Sequence, residues 1–175
     1  MTSMSVAKLN EALSRAERHA PHLRQLMGQH IAVRDLLAAG DLNAALALPD
    51  RDYDPDMPVG QALRRAKGQL ALAVAIGDLS GVLDLEGVTL ALSDFADTAL
   101  DRAIAAAISE YQPGTPAIGL AAIALGKHGS RELNYSSDID PMLIFDPETL
   151  PCRARDEPVE AAVRMGRRIV ELMQA

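Results

Sequence analysis

The stretch "GKHGSRELNYSSDID", residues 126–140, gathers two glycines, a lysine, an arginine, three serines and two aspartates. Side chains at i and i+2 of an extended strand share a face, so Asp138 and Asp140 present two carboxylates side by side. Adjacent anions repel, and a divalent cation between them relieves the repulsion. Mg²⁺ favours oxygen ligands and is usually held by one or two carboxylates plus substrate phosphates. In-line displacement at phosphorus is the chemistry such a pair serves best. The residues ahead of it suit the same substrate. Gly126 and Gly129 permit a turn whose N–H groups approach an anion. Ser130 adds a hydroxyl, while Lys127 and Arg131 carry charge that neutralises phosphate. Each signal is weak when taken singly: D-x-D is common in turns, and the G-K-[ST] ending of a Walker P-loop is missing. Joined within fifteen positions, ahead of the apolar run Met142–Phe145, they describe a metal–nucleotide phosphate site.

The elements that must carry this stretch follow from periodicity. From Ser5 to about Ala47 the pattern is helical and short-segmented, with Leu9, Leu13 and Ala16 on one face and a break at Pro21. Gly40 reads as a helix C-cap and Asp41 as the N-cap of a short helix that ends at Pro49. Residues 49–58, "PDRDYDPDMP", read as a surface loop. Two longer helices follow, one with Leu63, Leu70 and Val74 in a stripe, the other with Leu85, Val88, Leu92, Phe95, Ala99 and Ala103. "QPGTP" (112–116) ends the second. Beyond it, "AIGLAAIALG" and "DIDPMLIFDP" are short apolar runs bounded by Gly and Pro, which read as buried strands. "EPVEAAVRMGRRIVELMQA" returns to helix. The expected organisation is a helical region over 1–112, then strand, turn, strand and helix over 113–175. Two strands and one helix do not make a complete sheet domain.

Composition narrows the partners. The chain has 175 residues, 49% of them hydrophobic and only 3% aromatic, so its core must be built from Ala, Leu, Ile and Val. A formal charge of −7 disfavours non-specific nucleic-acid binding. The single cysteine, Cys152, excludes an internal disulfide and a multi-cysteine zinc site, consistent with a reducing cytoplasm. The N-terminus lacks a signal-peptide h-region, and no run of about 18 apolar residues predicts a membrane span. Other groups read as structural. His19 and His22 lack a third ligand, and Arg64, Arg65 and Lys67, like Arg164, Arg167 and Arg168, read as solvated helix faces.

"LGKHGSRELNYSSDIDPMLIFDP" resembles the N-terminal catalytic half of the bifunctional glutamine synthetase adenylyltransferase/adenylyl-removing enzymes, members of the nucleotidyltransferase superfamily that includes polymerase β. The likeness covers residues 60–175 and is strongest over 119–147. It implies a mainly α chain with a partial α/β, polymerase β-like nucleotidyltransferase core. It implies removal of AMP from adenylylated glutamine synthetase, with phosphate attacking the tyrosyl phosphodiester and ADP released. Asp138 and Asp140 would bind Mg²⁺, and Gly129, Ser130, Lys127, Arg131 and Ser137 would meet nucleotide phosphates. Glutamine synthetase, ATP or ADP, phosphate and a PII-type signalling protein are the implied partners. Two other readings stay open: adenylylation from ATP, and a non-catalytic helical interaction module with a vestigial site.

This sequence departs from the family pattern at several positions. Pro141 stands where an aliphatic residue is usual, implying a strand edge, bulge or irregularity. His128 and Ser130 replace the more usual Leu and Gly. A third acidic residue is implied on a later strand, beyond Ala175. Asp146 is no substitute, because six residues of strand separate it from Asp140 by about 20 Å at ~3.3 Å per residue. The resemblance therefore implies a fragment of a longer enzyme, inactive by itself.

Overall fold

A computed structural model of the chain describes residues 3–174. Helices dominate it: α1 (Ser3–His19), α2 (Pro21–Gln29), α3 (Ile31–Ala38), α4 (Leu42–Arg51), α5 (Val59–Leu79) and α6 (Leu85–Tyr111) precede strand β1 (Leu120–Ile123). A single-turn helix α7 (Gly126–Gly129), strand β2 (Met142–Phe145) and helix α8 (Pro158–Met173) complete the order. Mainly α with a small two-stranded sheet is the observed class. No helix among the described residues is long and apolar enough to cross a membrane.

The chain divides into two compact units, residues 1–56 with 64–92 and residues 57–63 with 93–175. The longer stretch of the second unit begins within α6, at Ser93.

In the first unit, Leu9, Ala12, Leu13 and Ala16 recur at helical spacing on α1 and are buried with Leu26, Met27, Val33, Leu37, Leu72 and Ile76. Pro21 opens α2 at its first turn, and Ala20 before it is extended, as a residue preceding proline must be. Gly40 follows α3 at φ +88°, and the Asp41 carboxylate accepts the Ala44 N–H at 3.0 Å to cap α4. Both caps are where the sequence placed them. Helix α4 runs past Pro49 to Arg51, two residues beyond the predicted end. Proline's fixed φ is helical and forfeits a single bond, so a buried Pro49 survives in the last turn.

In the second unit, α6 buries Ala96, Ala99, Leu100, Ala103, Ile104, Ala107 and Ile108. Helix α8 supplies Ala161, Ala162, Met165, Ile169 and Leu172 to the same core. Leu120, Ala122, Ile139 and Leu143 pack on it. In the part of α6 that belongs to the first unit, Leu85, predicted to lie on the buried stripe, is 78% exposed in the first turn.

β1 and β2 pair antiparallel in the register Leu120↔Phe145, Ala121↔Ile144, Ala122↔Leu143 and Ile123↔Met142. Both strands are shorter than the apolar runs that predict them. Gly119 lies at φ +77°, and a Cβ there would stand 2.4 Å from the Leu150 backbone nitrogen, so the chain bends before β1. β2 begins only after Pro141, which has no N–H to give a ladder.

A latch closes the loop before α8. The buried Tyr111 hydroxyl donates to Asp156, which also accepts from Arg164 at 2.9 Å. Arg153 stacks 4.4 Å over the Tyr111 ring and donates to the Tyr111 carbonyl. Burial first, then the Asp156 bond, pushes the Tyr111 hydroxyl above its ordinary value. The neutral phenol is thus the form the fold favours. Its contribution is complete below about pH 10 and declines as pH rises through the raised value. Tyr111→Phe is expected to cost roughly 1 kcal/mol in urea unfolding at neutral pH. The variant should also lose part of the wild type's alkaline destabilisation.

Candidate functional site

The β1–β2 register sets the site. Because Ile123 faces Met142, the chain leaving β1 and the chain entering β2 lie at one end of the sheet. The glycine turn follows the first and the acid pair precedes the second. Sheet pairing therefore brings residues 124–131 and 138–141 to a common end.

Asp138 and Asp140 lie in the segment that leads into β2, just outside the paired strand. Exposure alternates residue by residue from Asp138 to Ile144. Asp138, Asp140, Met142 and Ile144 are exposed, whereas Ile139, Pro141 and Leu143 are half-buried. The two carboxylates thus share the open face, and Ile139 anchors the other side in the core. Among the described residues, neither carboxylate is occupied by a hydrogen bond or an ion pair. No three His, Cys, Asp or Glu side chains gather as a metal site among the described residues. Asp146 is committed elsewhere: it accepts from the Glu148 N–H at 3.0 Å and the Thr149 hydroxyl at 2.8 Å, bonds that hold its carboxyl below the usual range.

The glycine turn is tighter than an open anion nest. Gly129, Ser130, Arg131 and Glu132 donate their N–H groups to Leu125, Gly126, His128 and Lys127 carbonyls at 2.7–3.1 Å. These four donors serve the turn itself. The two glycines have separate causes. Gly126 adopts φ +55°, and a Cβ on Gly129 would stand 2.6 Å from the Ala124 carbonyl oxygen. Gly129 is thus required by close approach.

The side chains predicted to meet phosphate fall into two groups. Lys127 is exposed, and its ammonium group carries no protein partner among the described residues. The exposed Ser130 hydroxyl lies 3.1 Å from Glu132 and 3.2 Å from the Gly126 carbonyl. Ser137, by contrast, closes a turn on Asn134, donating to its side chain at 2.9 Å and accepting its N–H at 3.0 Å. Arg131, at φ +61°, pairs with Asp94 and lies 3.9 Å from Asp97. His128 is 3% exposed and hydrogen-bonds Asp97 through Nε2 at 2.8 Å. Sequence reasoning missed Asp94 and Asp97. Their i, i+3 spacing on α6 was visible, but exposed carboxylates on a helix carry no sign of a partner 31 or 37 residues away.

The sequence matches the family described as glutamate-ammonia ligase adenylyltransferase over residues 6–175. The chain belongs to this family. A bifunctional glutamine synthetase adenylyltransferase/adenylyl-removing enzyme of Xanthobacter autotrophicus is 42% identical over 127 residues, covering 66% of this chain and 13% of the relative. Its Caulobacter vibrioides counterpart is 40% identical over 151 residues, covering 79% of this chain and 14% of the relative. The Rhizobium meliloti protein of the same description is 31% identical, covering 97% of this chain and 20% of the relative. The chain thus spans a small fraction of these adenylyltransferases. No solved structure matches it significantly.

Gly129→Ala should destabilise the chain by roughly 1–3 kcal/mol, as expected when a side chain is forced against fixed backbone. Gly28→Ala, in α2 with no atom within 4 Å of the added carbon, is the control. It should be neutral or stabilising by up to roughly 1 kcal/mol. Chemical denaturation of both variants checks the pair.

Proposed function

We propose that residues 124–141 form part of a magnesium-dependent nucleotidyltransferase site that removes AMP from adenylylated glutamine synthetase. The observation that supports it is the acid pair: Asp138 and Asp140 share an exposed face, lack protein partners among the described residues, and stand at the sheet end that carries the glycine turn. Two unpaired neighbouring carboxylates suit Mg²⁺, which completes its octahedron with water and phosphate oxygens. When bound there, the cation supplies charge neutralisation to the phosphates. Lys127 and the Ser130 hydroxyl are the side chains left exposed to meet the same phosphates.

The reaction is phosphorolysis. A phosphate oxygen bonds to the AMP phosphorus as the bond from phosphorus to the tyrosyl oxygen breaks. The tyrosyl oxygen takes a proton, and ADP leaves. Catalysis of this kind depends on positioning and charge stabilisation more than on covalent participation by the protein. Glutamine synthetase, ADP or ATP and phosphate are the proposed partners, with a PII-type protein as regulator and the cytoplasm as location. The names of the relatives join the removing and adenylylating activities. Adenylylation from ATP is therefore the alternative direction at the same phosphates.

A second reading, a helical interaction module with a vestigial site, draws on the internal bonding of the turn and on the engagement of Arg131 and Ser137 by protein groups. Calorimetric titration with ADP separates the two. The 175-residue chain is expected to bind ADP only with Mg²⁺ present, and Asp138→Asn with Asp140→Asn should abolish binding without changing helical content. Binding that persists in the double variant, or no binding by the wild type, overturns the nucleotide reading. Release of ADP from adenylylated glutamine synthetase and phosphate, against AMP incorporation from ATP, then distinguishes the two directions.

A further inference from the structure

The glycine turn is tied to α6 at three points. His128 Nε2 lies 2.8 Å from Asp97 Oδ1, Arg131 pairs with Asp94 while its other nitrogen lies 3.9 Å from Asp97, and the Leu133 N–H lies 3.4 Å from the Ser93 hydroxyl. On α6, Asp94 and Asp97 are i, i+3 neighbours, Ser93 and Asp97 are i, i+4 neighbours, and Ser93 is fully buried.

His128 is the unusual member. A leucine would fill this buried site with no polar atom to satisfy. Histidine has two ring nitrogens, and here Nε2 meets Asp97 while Nδ1 is buried without a partner among the described residues. An unsatisfied buried polar atom is costly, so packing alone does not favour this residue. What histidine adds is direction. A hydrogen bond fixes the rotation of the turn about α6, which an apolar contact leaves free to slide. Asp97, as the acceptor, requires the ring hydrogen on Nε2, and its second oxygen faces Arg131. The four side chains thus form one network joining both ends of the 128–131 segment to a single helix.

We infer that His128 and Asp97, supported by Arg131 and Asp94, are positioning residues that lock the glycine turn on α6. The lock holds Lys127 and Ser130 beside the acid pair for a magnesium-bound nucleoside diphosphate. This inference rests on the nucleotide reading for its ligand, whereas the lock itself is a property of the free chain. Arg131, engaged by Asp94, acts through the turn instead of on the phosphate.

Hydrogen exchange of the 175-residue chain, followed by NMR, tests the lock without a ligand. A slowly exchanging His128 Nε2–H signal is expected, together with protected amides over Ser130–Leu133. Asp97→Ala should remove the ring signal and deprotect those amides, with exchange in α8 unchanged. Asp97→Asn retains an oxygen acceptor and should recover both, a rescue that general loosening of the fold does not predict. Titration with ADP and Mg²⁺ is the second arm. Asp97→Ala is expected to weaken binding about threefold to tenfold, the effect of one net hydrogen bond, and Asp97→Asn to restore it. Should Asp97→Ala fold poorly, His128→Gln supplies a donor of similar reach and should keep most of the protection, whereas His128→Ala should not. Turn amides and ring signal unchanged in Asp97→Ala overturn the inference, as does failure of Asp97→Asn to recover them. Absence of ADP binding by the wild type overturns the nucleotide reading alone, and the exchange arm then decides the lock.

Discussion

Four facing residue pairs, from Leu120↔Phe145 to Ile123↔Met142, set the position of everything chemical in this chain. A two-stranded ribbon is marginal in water, so its persistence depends on what lies beneath it. Leu120, Ala122 and Leu143 point into a core made by the alanine-rich face of α6 and the apolar face of α8. A slip of one residue would reverse every side chain of β2, placing Asp138 and Asp140 over that core and exposing Ile139 and Leu143. Two uncompensated carboxylates against alanine and leucine are unaffordable, which makes the register strongly specified. The hydrophobic pattern of four short positions thereby fixes the direction of the acid pair.

The two halves of the site are built on opposite terms. The acid pair lies in unpaired backbone with its carboxylates unengaged. The glycine turn is dense with internal bonds: its N–H groups close on its own carbonyls, and His128 and Arg131 reach to α6. One half has unengaged carboxylates among the described residues, and the other, at the same end of the sheet, is bonded to itself and to α6. That division suits phosphate chemistry, in which a fixed scaffold costs less reorganisation than a mobile one. It also explains the two left-handed backbone positions, Gly126 and Arg131, which begin and end the turn. Arginine at positive φ is strained, and this one is paired with Asp94.

Much of the fold was legible in the sequence. Spacing alone assigned the buried faces of α1 and α5: Leu9, Leu13 and Ala16, and then Leu63, Leu70 and Val74, recur at helical spacing, and each is buried. The caps at Gly40 and Asp41 were legible because they act within a few residues of themselves. Errors arose where a distant neighbour decides. Leu85 continues the periodic stripe of α6 yet is exposed, since periodicity names a face without saying how far the covering element extends. Strand lengths were overestimated because Gly119 and Pro141, which end the pairing, act through the backbone instead of through hydropathy.

For the candidate site, the sequence by itself determined the chemical inventory and one geometric relation. Two acids at i and i+2 in extended chain must share a face, whatever the rest of the protein does. The motif around them, "RELNYSSDID", likewise carried the family. Only the tertiary structure decided how the flanking groups are divided. Arg131 and His128 turn toward α6, Ser137 is used within its own turn, and Lys127 remains open. The reason is physical: a side chain's local sequence fixes its charge and hydrogen-bonding capacity, but its partner is whatever the fold brings within about 3 Å. For the turn, that partner is a helix more than thirty residues upstream.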